Sequence, residues 1–273
     1  MFRLDGKTAI ITGGASGIGE QTVRQFIEQG ARVAIADISP DNAIRLAAEL
    51  GPNAFGIRMD VGSQDSVNEA LQAAIDAFGK IDILVNNAGI GLVGDVEKTS
   101  DEDFDRLMKV NVSGVFHCCK ALVPHMLASG AGNIINIGSV AGLVGIEQRF
   151  AYSATKGAVV AITRQLAVDY VSKNIRVNCI CPGTVYTPFV DSYLQKFHSH
   201  EIEETKAKEI ICQIISGYLY MAKKGILHRD LKPANIMRHG NTWKIGDFGF
   251  ATSCKTDFFF DKLNVGTPLY MPP

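Results

Sequence analysis

"KTAIITGGASGIG", residues 7–19, decides how this chain folds. Residues 7–12 hold a short apolar run, Ala9-Ile10-Ile11, are rich in β-branched side chains and are closed by two glycines. That is the pattern of a short strand buried on both faces. Beyond the glycines, apolar residues recur at Ile18, Val23, Phe26 and Ile27, a helical spacing that Gly30 ends. The stretch therefore reads as strand, glycine-rich turn and helix, in that order.

The same alternation continues along the chain. Strands are expected over residues 31–37, 54–61, 81–87, 133–139 and 175–181. Helices are expected from Pro40 to Leu50, along the stripe Val67, Leu71, Ala74, Ile75 and Phe78, over residues 101–127, and over residues 152–171. Each strand is apolar on both faces, so the sheet should be parallel, covered on both sides and joined by right-handed crossovers. The expected fold is a doubly wound α/β sheet.

In that context the glycines gain a purpose. Gly13 permits the tight turn, Gly17 lets the backbone approach a pyrophosphate, and Gly19 lets the helix pack close to the sheet. The helix N-terminus offers free N–H groups and partial positive charge to phosphates. An ordinary strand–helix turn could carry the same glycines, and Asp37 favours the dinucleotide. It ends the second strand 18 residues after Gly19, where a carboxylate can accept hydrogen bonds from ribose hydroxyls and repel a 2′-phosphate. No Arg or Lys in the loop or immediately after Asp37 would hold that phosphate, so the expected cofactor is NAD rather than NADP.

A second cluster suggests acid–base chemistry. Tyr152 and Lys156 are four residues apart at the start of a helix, on one face. A free tyrosine, with a pKa near ~10, is too weak a base at neutral pH. A nearby ammonium favours the phenolate, which can then exchange a proton with an alcohol or carbonyl oxygen. Lys156 can also reach a ribose hydroxyl. Ser139, at the carboxyl end of the fifth strand, can hydrogen-bond the reacting oxygen. The plain alternative for the Tyr–Lys pair is a helix face with a snorkelling lysine.

Bulk properties narrow the partners. The net charge of −1 gives no reason to expect nucleic acid or an anionic membrane. Of six cysteines none forms a CxxC pair, and buried thiols in a reducing cytosol are expected. His198 and His200 are only two ligands, so no metal site is expected. The charged N-terminus lacks an apolar stretch, and no apolar run reaches the roughly 20 residues of a membrane helix. A cytoplasmic protein acting on a small molecule is expected.

Residues 1 to about 197 resemble the short-chain dehydrogenase/reductase family. The match rests on "TGGASGIG", Asp60-Val61, "NNAG" at residues 86–89, "VNVSG", Ser139, "YSATK" and Pro182-Gly183. The resemblance implies a Rossmann-like fold and hydride transfer between NAD and a secondary alcohol or ketone. It implies that Ser16 and Ile18 meet the pyrophosphate, and Asp60 and Val61 the adenine. It places Asn87, Ala88 and Gly89 along the adenine-side ribose, and Pro182, Val185 and Thr187 around the nicotinamide. Asn111, Ser139, Tyr152 and Lys156 match the catalytic set, Asn111 as the holder of a proton-relay water. Arg149 and "CICPGTVYTPF" look like a hydroxyacid or sugar-acid branch, in which an arginine fork could hold a carboxylate. A surface ion pair at Arg149 is the alternative.

The pattern then changes. A complete relative would continue after Phe189 with a helical lid, another helix and a seventh strand, and nothing here supplies that strand. The expected activity is therefore impaired, and an inactive nucleotide-binding chimera is the alternative. The family's homo-oligomer is also in question, since the missing strand helps build it and its loss bares a sheet edge. Residues 203–224 read as an amphipathic helix with Ile210, Ile211, Ile214, Ile215, Tyr218 and Leu219 on its apolar side. The region from about residue 203 to Pro273, this helix included, resembles part of a protein kinase. "HRD" carries Asp230, Lys232 matches a phosphate-contacting lysine, and Asn235 and Asp247 match magnesium ligands. The reading divides the chain into a dehydrogenase-like part, 1–202, and a kinase-like fragment of helix and loop, 203–273.

A Ser/Thr kinase fragment with remnants of the ATP site is the remaining functional alternative. No second glycine loop, strand-three lysine or partner glutamate accompanies the catalytic loop, so phosphoryl transfer lacks positioning and charge compensation. Incubating the chain with magnesium, labelled ATP and a basic protein should transfer no phosphate. Transfer that disappears in Asp247→Ala would overturn this expectation.

Overall fold

The computed structural model describes residues 3–185, 204–232, 235–249 and 251–253. The chain forms two compact units, Met1–Leu194 and Gln195–Pro273.

In the first unit, strands and helices alternate: β1 (Thr8–Thr12), α1 (Gly17–Glu28), β2 (Arg32–Asp37), α2 (Pro40–Leu50), β3 (Ala54–Arg58), α3 (Gln64–Phe78) and β4 (Ile83–Asn86). They continue with α4 (Asp101–Leu107), α5 (Gly114–Ala128), β5 (Gly132–Ile137), α6 (Phe150–Tyr170) and β6 (Ile175–Ile180). The six strands run parallel in the order β3-β2-β1-β4-β5-β6. The chain winds outward from β1 to β3, crosses back to β4 and winds outward the other way. Strand ends diverge at that reversal and leave a crevice.

Every residue of β1 is buried, and its neighbours divide between two cores. Ile10 joins Leu84, Leu122, Ile134 and Val159 on one face, while Ile11 joins Val23, Val33, Ile35 and Leu46 on the other. Alternate side chains of a strand face opposite sides, so both helical layers are seeded by one apolar run. A buried polar chain crosses the second half of the sheet. Asn86 Nδ2 donates to Asn136 Oδ1 (2.8 Å), Asn136 Nδ2 to Thr163 Oγ1 (2.8 Å), and Thr163 Oγ1 to the Val159 carbonyl (2.8 Å). It fixes β4, β5 and α6 against one another, because breaking it would leave buried groups unpaired.

Two features differ from the sequence reading. The helical region over 101–127 is not uniform: a π-helical turn, Met108–Ser113, separates α4 from α5. Wider turns of this kind carry no periodicity signal and occur often at functional sites. The cysteines also depart from uniform burial. Cys118 and Cys119 are buried, Cys179 and Cys181 half-buried, and Cys212 exposed.

The second unit contains α7 (Glu204–Lys223), an antiparallel hairpin of β8 (Ile236–His239) and β9 (Thr242–Ile245), and a short antiparallel pair of β7 (Ile226–Leu227) and β10 (Thr252–Ser253). The expected helix is present, and the strand pairs are additional to it. Ile211, Ile215, Tyr218 and Leu219 of the expected apolar side are exposed. Instead, the line through Gln213 and Gly217 meets β9. Gln213 Oε1 accepts from Trp243 N (2.7 Å), and Gly217 packs beside Ile245. No helix among the described residues is long and apolar enough to cross a membrane.

Gly56 allows α2 to ride close on β3: a Cβ there would lie 2.5 Å from the Ala43 carbonyl carbon and oxygen. Gly56→Ala should cost about 1–3 kcal/mol, the usual range for overpacking. The check is a lower urea midpoint at unchanged slope.

Candidate active site

The crevice at the reversal holds a cavity of about 410 Å³. Its walls come from the carboxyl ends of all six strands and from α6. The loop after β1 contributes Gly13, Ser16, Gly17 and Ile18, and the end of β2 contributes Asp37. Asp60 and Val61 follow β3, and Asn87, Ala88 and Gly89 follow β4. Ser139, Tyr152, Lys156, Pro182 and Val185 complete the far end.

The near end is shaped by backbone. Gly13 has φ +60° and Gly17 φ +55°, in the left-handed region that favours glycine. A Cβ on Gly13 would lie 2.9 Å from Ala88 Cα, and one on Gly19 would collide with the Gly13 carbonyl oxygen. Thr12 Oγ1 accepts from both Asn87 N and Ala88 N (3.0 Å each). Asn87 Nδ2 donates in return to the carbonyls of Thr12 (2.9 Å) and Gly13 (3.0 Å). The Asp37 carboxylate is also held in place: Ala15 N donates to one oxygen (3.1 Å) and Ser39 N to the other (3.0 Å). A glycine cradle opening a helix, with a fixed carboxylate at its side, fits a dinucleotide.

At the far end, Lys156 is buried and its Nζ donates to the Ile137 carbonyl (2.8 Å). It lies 5.9 Å from the centre of the Tyr152 ring. Ser139 Oγ accepts from Ala141 N (3.1 Å) as the cap of a short 3₁₀ turn, Val140–Gly142. Asn111 sits in the π turn, fully buried. Its Oδ1 accepts from Ile90 N (2.8 Å), and its Nδ2 donates to the Ile90 carbonyl (2.9 Å) and to Thr155 Oγ1 (3.0 Å).

Residues 7–197 match the family model for short chain dehydrogenases. The chain belongs to the short-chain dehydrogenase family. That makes it kin to nicotinamide-dinucleotide-dependent oxidoreductases. It is 46% identical over 186 residues to an uncharacterized oxidoreductase of Thermotoga maritima, covering 67% of this chain and 73% of that one. It is 43% identical over 227 residues to a 2-(R)-hydroxypropyl-CoM dehydrogenase of Xanthobacter autotrophicus, covering 79% and 91%. The crystal structure of a 3-ketoacyl-(acyl-carrier-protein) reductase from Brucella melitensis complexed with NADH superposes with a TM-score of 0.68 at 38% identity, over 70% of this chain and 81% of that one. Residues 177–273 match the protein kinase domain.

The dehydrogenase fold brings most of the expected site residues to one cavity. Gly19 and Asn111 lie behind its wall, and Thr187 lies outside the described residues. Ile38, Met59, Ile90, Val110, Ile137 and Gly138 also line it and were not singled out in the sequence, because apolar neighbours of a motif look like ordinary core. Arg149 is not part of the wall; its Nη1 donates to the Leu92 carbonyl (3.3 Å). In the kinase-like unit, Asp230 and Asn235 are buried together. Asn235 Nδ2 donates to the Asp230 carbonyl (2.8 Å) and carboxylate (3.1 Å), and Lys232 Nζ pairs with that carboxylate at 2.8 Å.

The electrostatics of the pair differ from the expectation. Burial holds the Tyr152 phenol above its ordinary value; a hydrogen bond with Ser139 and the charge of Arg149 pull it partly back. Lys156 is not among those influences. Its ammonium is itself pulled down to about 8 by burial, partly offset by the nearby Cys179 and Cys181. A buried cation bound to a carbonyl is tuned before it tunes its neighbour.

The folded-state pKa of Lys156 lies below its ordinary 10.5, so between about 8 and 10.5 the unfolded chain binds more protons. Stability conferred through this group is therefore complete at high pH and lost as pH falls through about 8. Unfolding titrations of the wild type against Lys156→Met should diverge in that window, the wild type gaining with pH.

Proposed function

We propose that the dehydrogenase unit transfers a hydride between NAD and a secondary alcohol or ketone. One observation carries this reading: the fixed Asp37 carboxylate and the Tyr152–Lys156 pair stand on the walls of one cavity. Bound there, the nicotinamide would accept or donate the hydride. The backbone cradle at Gly13, Ser16, Gly17 and Ile18 would hold the pyrophosphate. Asp60 and Val61 would meet the adenine, and Asn87, Ala88 and Gly89 the adenine-side ribose. Pro182, Val185 and Thr187 would flank the nicotinamide.

Tyr152 exchanges a proton with the substrate oxygen, and Ser139 hydrogen-bonds the same atom. Lys156 gives its ammonium to the ribose and to the Tyr152 side of the cavity. Asn111 acts by position: its amide clamps Ile90 against Thr155 of α6, beside Gly89. Because burial raises the phenol, Tyr152 is protonated at neutral pH and serves ketone reduction as it stands. Alcohol oxidation requires the phenolate. Oxidation should therefore quicken, and reduction slow, as pH rises, which paired pH–rate profiles would show. Tyr152→Phe should lower turnover by about 10²-fold or more while leaving NADH titration intact. Retained turnover would remove Tyr152 from this role.

Asp37 favours NAD, since its carboxylate repels a 2′-phosphate. NADH should bind more tightly than NADPH, and Asp37→Ser should narrow the gap at least about tenfold. Preferential NADPH binding by the wild type would refute the assignment. The proposed substrate is a hydroxyacid or sugar acid. What supports this reading is the place of Arg149, which caps α6 three residues before Tyr152. Arg149→Met should raise KM for a hydroxyacid more than for a neutral alcohol.

A further inference from the structure

Cys179 lies in β6 and Cys181 one residue past its end. Alternate residues of an extended chain face the same side. At about 3.3 Å rise per residue their Cα atoms are about 6.6 Å apart, within the span a disulfide bridges. The two Sγ atoms are 3.8 Å apart, and both thiols are free and half-buried. The remaining described cysteines offer a contrast. Cys118 and Cys119 are sealed in the core, where burial pushes the thiols up, that of Cys119 to about 12. Cys212 is exposed.

The pair also sits against the active site. Both sulfurs converge on Gly138, where a Cβ would lie 2.8 Å from Cys179 Sγ and 2.9 Å from Cys181 Sγ. Gly138 N donates to the Ile180 carbonyl between them (2.8 Å). On one side of Gly138 is Ile137, whose carbonyl holds Lys156; on the other is Ser139. A side chain at residue 138 would exclude the sulfurs, so their contact exists because that position is glycine.

We propose that Cys179 and Cys181 are a modification site, a dithiol that a hydroperoxide oxidises reversibly to a disulfide, and that this closure weakens the nicotinamide end of the cavity. The first half stands without the cofactor reading; the second rests on it. The thiolate of Cys181 attacks the peroxide, a sulfur–oxygen bond forms, the oxygen–oxygen bond breaks, and the leaving oxygen takes up a proton. Cys179 sulfur then attacks the sulfenyl sulfur, the sulfur–oxygen bond breaks, and water leaves with the thiol proton. Two thiols are oxidised by two electrons and one peroxide is reduced. The bridge spans the upper end of the allowed separation, and such strain makes a disulfide readily reducible. Closing it draws the sulfurs from 3.8 Å to bonding distance across Gly138, shifting the strip that carries Ser139 and the Lys156 anchor.

The test treats the whole chain with hydrogen peroxide and maps peptides by mass. The peptide holding both residues should become lighter by two hydrogens and regain them with dithiothreitol. Separate sulfinic acids, disulfides to other cysteines, or no change under peroxide that oxidises Cys212 would each overturn the site. NADH titration before and after oxidation tests the coupling. Affinity should fall at least about tenfold and recover on reduction. In Cys181→Ser, peroxide should leave the titration unmoved. A disulfide with unaltered NADH affinity overturns the coupling alone. A reduced wild type that binds no NADH sinks the cofactor reading and the coupling with it, while the mass result still decides the dithiol.

Discussion

The dehydrogenase unit depends on one reciprocal lock. Where the sheet reverses between β1 and β4, the Thr12 hydroxyl accepts from the backbone of Asn87 and Ala88, and the Asn87 amide answers to the carbonyls of Thr12 and Gly13. Parallel strands diverge at such a point, and backbone groups that leave the ladder need other partners. Here two side chains supply them and fix the two strand ends at a set distance. That distance is short enough that residue 13 must be glycine, since a Cβ would press on Ala88. The cradle is therefore a consequence of how the reversal is closed.

The same logic governs the far end, where burial is the stronger influence. Tyr152 and Lys156 share one face of α6, and proximity alone suggests a cation lowering a phenol. In the structure both groups are first displaced by loss of water, the phenol upward and the ammonium downward. Each shift disfavours the charged form, as desolvation requires. The charge that reaches the phenol comes instead from Arg149, at the start of the same helix.

Much of this was legible in the sequence because each signal was local. Residues 7–19 give strand, turn and helix by periodicity and glycines alone. Asp37 declares itself by ending a strand at the right distance from Gly19. Other features depend on contacts remote in sequence. The π turn at Met108–Ser113 leaves apolar spacing nearly intact while turning Asn111 inward. Arg149 follows Gln148 at φ +54°, a backbone twist that spacing does not report. Apolar spacing puts six residues on one side of α7, yet only a narrow line meets β9, because a two-stranded hairpin is too small to cover more. The hairpin itself had a visible marker, Gly240-Asn241 between two short runs, with Gly240 at φ +60°.

Three consecutive residues at the end of β5 show how closely the parts of the site are tied. The Ile137 carbonyl holds the Lys156 ammonium, Gly138 receives the sulfurs of Cys179 and Cys181, and Ser139 pulls the Tyr152 phenol partly back toward its ordinary value. Successive residues of an extended strand face opposite sides. One short strip can therefore touch α6 through its backbone and side chain while leaving a gap toward β6 where glycine stands. Rigidity follows on one side, since β5 is paired with β6 through its length and with β4 from Asn133 to Asn136. The β6 edge is more weakly held: among the described residues it pairs with β5 alone. A perturbation that starts at β6 therefore meets little resistance there and strong coupling on the other side, and it is at residues 137–139 that it would be felt.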